Sequence, residues 1–205
     1  MKVLEVFGEP ISSGGQETFV LNLLKSIDRK DLEIDLLTPY YCDNGFLEKE
    51  IIKTSGVIYT LKKKFNPGGL RFNILGPLLS FFKENHYDVV HVHSGSISVL
   101  AIVSLIAKIV GIKKIIVHSH SGASVISFTS KIVKVFTFPI IRFLPTIYCA
   151  CSEVAARAKF PKGVKVVYVK NGIDLNRFLF SKEKRQEIRK CLEVKDDEVL
   201  LGHVG

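Results

Sequence analysis

Short apolar runs alternate with longer amphipathic stretches along this chain, the pattern of strands covered on both faces by helices. Seven runs that are rich in β-branched or aromatic residues and bounded by Gly, Pro, Asn or Asp predict strands. They are Val3 to Phe7, Glu33 to Leu37, Val57 to Leu61, Asp88 to His93, Lys114 to His118, Thr146 to Ala150 and Lys165 to Val169. Between them, helical spacing puts Phe19, Leu23, Leu24 and Ile27 on one face of Glu17 to Ile27, and Ile74, Leu75, Leu78, Phe81 and Phe82 on one face of Leu70 to Asn85. Ser96 to Val110 is apolar nearly all round and is followed by Gly111 as a stop. It falls short of the roughly 20 residues of a membrane span, so a helix buried against the sheet is expected. The expected fold is α/β: a Rossmann-like, doubly wound, mostly parallel sheet of about seven strands with helices on both faces.

The last stretch changes character. Ser181 to Leu192 is a charged amphipathic helix, and Glu198 to Val204 reads as one more apolar strand ending at Gly205. The expected organisation is an N-terminal Rossmann-like domain over residues 1–175, a linker and helix over 176–197, and the first strand of a second, cut domain over 198–205.

Composition narrows the classes of function. The chain has 205 residues, 47% of them hydrophobic, enough for one substantial core. Lys and Arg number 29 against 20 Asp and Glu, and the net charge of +9 favours phosphate-bearing ligands, an anionic membrane face or nucleic acid. Nucleic acid is set aside, because the basic residues are dispersed, clustering only at Lys62 to Lys64 and Lys182 to Lys190 without interleaved aromatic residues. Cys42, Cys149, Cys151 and Cys191 form no CxxC pair and no zinc spacing, so reduced structural thiols are expected. The opening MKVLEVFGEP is too short in its apolar part for a signal peptide, and a cytoplasmic location is expected.

In an open parallel sheet the ligand lies beyond the carboxyl ends of the strands, so the residues just after each strand carry the chemistry. After the first strand comes GEPISSGGQETF, in which Gly14 and Gly15 permit positive φ and close backbone approach at a helix N-terminus able to meet an anion. The plain alternative is a glycine-rich turn capped by Ser13, since neither GxGxxG nor GxxxxGK[ST] is present. In DVVHVHSG, alternation sends His91 and His93 to one face; His91 reads as a packing residue, and His93 is balanced between site and structure. IIVHSHSG supplies His118 and His120 before the small-residue loop Ser121 to Ser124, placed to hydrogen-bond a sugar hydroxyl or move a proton. No metal is expected, because His-x-His here lacks the Asp or Glu partners of a hard site. Residues 124–145 combine apolar residues with Lys131, Lys134 and Arg142 and contain no acid, which fits either a membrane-interface segment or a core helix broken near Pro139. In VVYVKNGIDLNRF, Asn171 and Gly172 signal a turn and Asp174 a cap.

The order GGQETF, DVVHVH, HSH, CSE and VKNGIDLNRF resembles glycosyltransferases of the two-Rossmann-domain (GT-B) type, family 4, over residues 1–180, and most of all bacterial enzymes of capsular or exopolysaccharide assembly. The resemblance implies that Gly14 and Gly15 face the donor diphosphate, that His120 contacts the transferred sugar, and that Glu17 and His93 line the acceptor side or support the glycine loop; His118 and Ser121, on either side of His120, are expected to bind substrate with it. Asn171 and Asp174 would lie at the interdomain junction. It further implies a retaining transfer from a nucleotide-sugar donor to a glycan or lipid-linked glycan, with no metal or other cofactor. The family's basic and paired-glutamate donor machinery belongs to a second domain, so residues 1–205 alone are not expected to turn over. A non-catalytic nucleotide-binding Rossmann module and a membrane-docking domain are the competing readings.

Overall fold

The computed structural model describes residues 1–203 except 29, 54–55, 68–70 and 123–127. Its contacts divide the chain into two units, Met1–Asn171 and Gly172–Gly205. In the first unit the elements run β1 (Lys2–Phe7), α1 (Gly15–Ser26), β2 (Glu33–Thr38), α2 (Gly45–Ile52), β3 (Ile58–Thr60), α3 (Leu75–Glu84) and β4 (Val89–His93). They continue with α4 (Ile97–Ile109), β5 (Lys114–Ser119), α5 (Phe128–Phe143), β6 (Ile147–Ala150), α6 (Glu153–Lys159) and β7 (Val166–Tyr168). The seven strands form one sheet in the order β3-β2-β1-β4-β5-β6-β7, and every pair is parallel. The doubly wound α/β fold read from the sequence is therefore the fold observed.

Strand alternation divides the interior in two. Leu4, Val6, Val90, Val92, Ile115 and Val117 point to a core completed by Leu78 and Phe82 of α3 and by Leu100 and Val103 of α4. Val3, Phe7, Ile34 and Leu36 point the other way and meet Phe19, Val20 and Leu24 of α1 with Leu47 and Ile51 of α2. Each such side chain contributes roughly 1.5–3 kcal/mol on burial, so the two layers hold the sheet between them. Helix α4 is buried nearly all round, as its sequence implies. It ends where Gly111 takes a φ of +88°, a left-handed turn that glycine adopts without strain.

Helices α2 and α6 were not among the elements read from the sequence. They are short, and side-chain caps start them: Leu47 N–H donates to Asn44 Oδ1 at 2.9 Å and Ala155 N–H to Ser152 Oγ at 3.2 Å. Helix α5 is not broken at Pro139; it runs through it to Phe143. It packs on α4 and buries Ile141 while Val135, Phe136 and Phe143 stay exposed.

The second unit holds a 3₁₀ turn, Leu175–Phe178, begun by Asp174, whose carboxylate accepts from the Asn176 N–H at 3.0 Å. It also holds α7 (Lys182–Cys191), capped by Ser181. The expected strand over 198–204 is absent from its described part: residues 199–203 have no regular structure, and Val199 and Leu201 stand exposed. A strand needs a neighbour to satisfy its backbone, and none pairs with this segment among the described residues.

At the mouth of the sheet Gly8 follows β1 and donates its N–H to His93 O at 2.9 Å. A Cβ on Gly8 would stand 2.3 Å from Ser94 Oγ and 2.6 Å from Ser94 Cβ. We expect Gly8→Ala to lower stability by about 1–3 kcal/mol in urea unfolding, and the double variant Gly8→Ala with Ser94→Gly to recover part of that loss.

Candidate functional site

Strand order reverses between β1 and β4, which makes their carboxyl ends the switch point of the sheet. Register builds the site there. Glu5 lies level with His91, Phe7 with His93, and His93 with His118, so all of these side chains leave the sheet on the α1 side. His120, just past β5, continues that face. The result is a cluster of four histidines around one buried carboxylate.

Oε2 of Glu5 is 2.5 Å from His93 Nε2 and 3.0 Å from His91 Nδ1. His93 Nδ1 lies 2.8 Å from His120 Nε2, and His91 Nε2 lies 3.2 Å from His118 Nδ1. Phe19 of α1 covers the group, its ring centroid 4.9 Å from that of His118 and 5.2 Å from that of His120. Burial alone would raise the Glu5 carboxyl, but the charge of His91 and hydrogen bonds from His91 and His93 outweigh it and hold Glu5 well below the usual carboxylate range. Burial, then repulsion from His91, pushes His93 down to about 4 despite its bond to Glu5. Burial, then repulsion from His93 and His91, brings His120 to about 3. His118 is driven lower still, by burial and then by His120. Near neutral pH these three rings are uncharged bases beside an ionised carboxylate. Two buried nitrogens, His118 Nε2 and His120 Nδ1, have no partner among the described residues. The hydrogen-free nitrogen of an uncharged imidazole accepts hydrogen bonds from hydroxyl groups.

The structure gathers His93, His118 and His120 of the sequence-derived candidates and adds His91, which the sequence reading left as packing. Glu5 was missed. Its only signal is an acidic residue inside the apolar strand KVLEVF, and it supplies the carboxylate whose absence argued against metal. His91, His93 and His118 bring ligand atoms within 4.8 Å of one another, the one such group among the described residues. Both ring nitrogens of His91 and His93, and Nδ1 of His118, are already engaged in hydrogen bonds within the cluster, and an ion held by them would have to displace these bonds.

The glycine loop differs from expectation. Gly14 caps α1 in an extended conformation, φ −124° and ψ −179°, and Gly15 has open space where a Cβ would stand. Among the described residues the positive-φ glycines are Gly111 and Gly163. Positive φ is thus not what Gly14 and Gly15 supply, and Gly14 rather than Ser13 is the cap. Glu17, buried, turns back over this N-terminus: its Oε1 accepts from Ser12 N–H at 3.4 Å, and its Oε2 would be 2.6 Å from a Cβ on Gly14. Ser121 is half-buried beside the cluster and accepts from Ser119 Oγ at 3.5 Å. Residue 124 lies outside the described residues. Asn171 is exposed after β7, at the sheet edge three strands from β4.

Two further residues were invisible in the sequence. Glu9 accepts from Ser94 Oγ at 3.2 Å and from Gln16 Nε2 at 3.5 Å, and burial pushes its pKa up although both bonds pull it down. Arg71, buried, lies over Phe65 with its guanidinium carbon 4.7 Å from the ring centroid, and its Nη1 donates to Asn66 O at 2.8 Å.

A model of glycosyltransferase family 4 matches residues 13–177. The chain is 27% identical over 202 residues to the Bacillus subtilis (strain 168) protein named "Putative glycosyltransferase EpsF", covering 95% of this chain and 51% of that protein. It therefore spans about half the length of the curated relative it matches. Among solved structures it resembles a glycosyltransferase from Rickettsia africae ESF-5, with a TM-score of 0.64 and 18% identity over 96% of this chain and 50% of the other. It also resembles MnaA of S. aureus, solved with UDP, with a TM-score of 0.59 and 16% identity over 94% and 51% of the two chains. These structural likenesses show the fold.

The lowered histidines set an acid limit on stability. A histidine whose folded pKa lies below its unfolded value of about 6.5 binds fewer protons when folded, so stability rises with pH across that window. For His93 the window runs from about 6.5 down to about 4. The depressed Glu5 acts in the same direction at lower pH. The urea midpoint should fall steadily from pH 7 to pH 4, and His93→Gln should flatten that fall while lowering the midpoint at pH 7.

Proposed function

Because the chain belongs to glycosyltransferase family 4, we propose that it is the N-terminal, acceptor-binding half of a retaining glycosyltransferase. In this reading the whole protein moves a sugar from a nucleoside-diphosphate donor to a glycan or lipid-linked glycan in exopolysaccharide or capsule assembly, in the cytoplasm. Residues 176–205 are the linker and the opening of a donor-binding second domain. The observation that carries the reading is the buried cluster of uncharged histidines at the switch point.

In the reaction the bond from the sugar's anomeric carbon to the diphosphate oxygen breaks and a bond to the acceptor oxygen forms. The acceptor's hydroxyl proton leaves with the diphosphate. His120, uncharged and with Nδ1 unpartnered among the described residues, accepts a hydrogen bond from a hydroxyl of the transferred sugar. The N-terminus of α1 offers backbone N–H groups to the charge growing on the leaving diphosphate. Glu17 stands over that N-terminus and must swing aside when the diphosphate arrives. No step needs a metal ion or other cofactor.

A second element of the reading concerns α5, whose exposed Val135, Phe136 and Phe143 lie beside Lys134 and Arg142. Clefts along it are lined by Phe138, Arg142, Arg157 and Lys162, an apolar and cationic surface suited to peripheral contact with an anionic membrane. No helix among the described residues is long and apolar enough to cross one.

Two experiments test these points. In the full-length protein His120→Ala should lower kcat for sugar transfer about 100-fold with little change in melting temperature, and excess EDTA should leave transfer intact. Metal-dependent transfer, or unchanged kcat in the variant, contradicts the reading. In sedimentation with vesicles, Lys134→Glu with Phe136→Ser should lose several-fold in binding to anionic lipid. Wild-type chain should not sediment with neutral phosphatidylcholine vesicles.

A further inference from the structure

The hydrogen bonds around Glu5 form a fork whose direction is fixed at one end. An ionised carboxylate only accepts, so both ring nitrogens facing Glu5 Oε2 must carry hydrogen: Nε2 of His93 at 2.5 Å and Nδ1 of His91 at 3.0 Å. With one hydrogen on each inner ring, which the nitrogen spectrum below reads directly, the other nitrogen is a bare acceptor. His93 Nδ1 therefore accepts from His120 Nε2–H at 2.8 Å, and His91 Nε2 accepts from His118 Nδ1–H at 3.2 Å. One step further out, the remaining nitrogens of both arms are lone pairs. They are His120 Nδ1 and His118 Nε2, two buried nitrogens that lack a partner among the described residues. The rings that bear them are stacked, with centroids 4.1 Å apart. Buried polar atoms in folded proteins nearly always have partners, so two adjacent orphans with the same polarity mark a place where something else donates.

We propose that Glu5 is a positioning residue that acts through His93 and His91 to present His120 Nδ1 and His118 Nε2 as a paired acceptor for ligand hydroxyl groups. The ligand class is a polyol with neighbouring hydroxyls. The assignment rests on reading this face as the sugar site, while the tautomers themselves rest on the protein alone. Glu5 need never touch the ligand, because it selects which atoms of the outer rings can accept. Without a fixed acceptor at its root each arm can reverse, and a reversed arm offers an N–H where a sugar hydroxyl needs a lone pair. A carboxylate at the centre of the sheet thereby decides the polarity of the site's outer surface.

The test is the histidine ring nitrogen spectrum of the ligand-free, ¹⁵N-labelled 205-residue chain near pH 7.5. His91 and His118 should show a protonated Nδ1 and a bare Nε2, and His93 and His120 a protonated Nε2 and a bare Nδ1. Protonated Nε2 on His118, or rapid tautomer averaging of the four rings, overturns the assignment. Glu5→Met adds a second measurement, because it removes the one oxygen that accepts from both rings. The outer rings should then show averaged tautomers. Unchanged tautomers in a folded Glu5→Met chain would contradict a directing role, and if that variant does not fold, the wild-type spectrum decides. A failed pattern leaves family membership and sugar transfer untouched, and a failed transfer assay leaves the pattern standing.

Discussion

A carboxylate buried in the middle of a parallel sheet is the constraint around which this site is arranged. Glu5 is 3% exposed and sits between apolar neighbours on β1, where an unpaired charge would cost several kcal/mol. The chain meets that cost with two histidines delivered by the adjacent strand, one level with Glu5 and one two residues further on. Removing either partner leaves a charge with less compensation, so Glu5, His91 and His93 are bound together energetically before any ligand is considered.

From that pairing the remaining geometry follows. His93 and His91 spend one nitrogen each on Glu5, and their second nitrogens reach His120 and His118 on or just after β5. The parallel register of β1, β4 and β5 is what brings the three strands' polar residues to one face at two successive levels. Phe19 then seals the group from the α1 side, and the low dielectric it helps create keeps the outer rings uncharged. Gly8, packed against Ser94, draws the ends of β1 and β4 together at the same place. Core packing, strand register and site chemistry are one arrangement here.

Much of this was legible in the chain. The β-branched runs gave all seven strands to within a residue or two, because alternating burial in a parallel sheet leaves a strong local pattern. The two His-x-His pairs were visible as same-face residues at strand ends. Strand order and register are long-range and leave no local trace, so Glu5 looked like an interruption of KVLEVF and His91 like a packing residue. Helices α2 and α6 escaped because their signal is a single cap before a short segment. Gly14 and Gly15 misled in the other direction: paired glycines suggest a left-handed turn, yet the chain enters α1 in extended geometry. Residues 199–203 have a strand's composition, but no strand among the described residues pairs with them.

The most direct test of the account is a crystal structure of the full-length protein with a nucleoside-diphosphate sugar that it turns over. The account predicts a sugar hydroxyl within about 3.2 Å of His120 Nδ1, with the diphosphate at the α1 N-terminus and Glu17 displaced from Gly14. A sugar held away from the histidine cluster, with Glu17 still folded over that N-terminus, would contradict it.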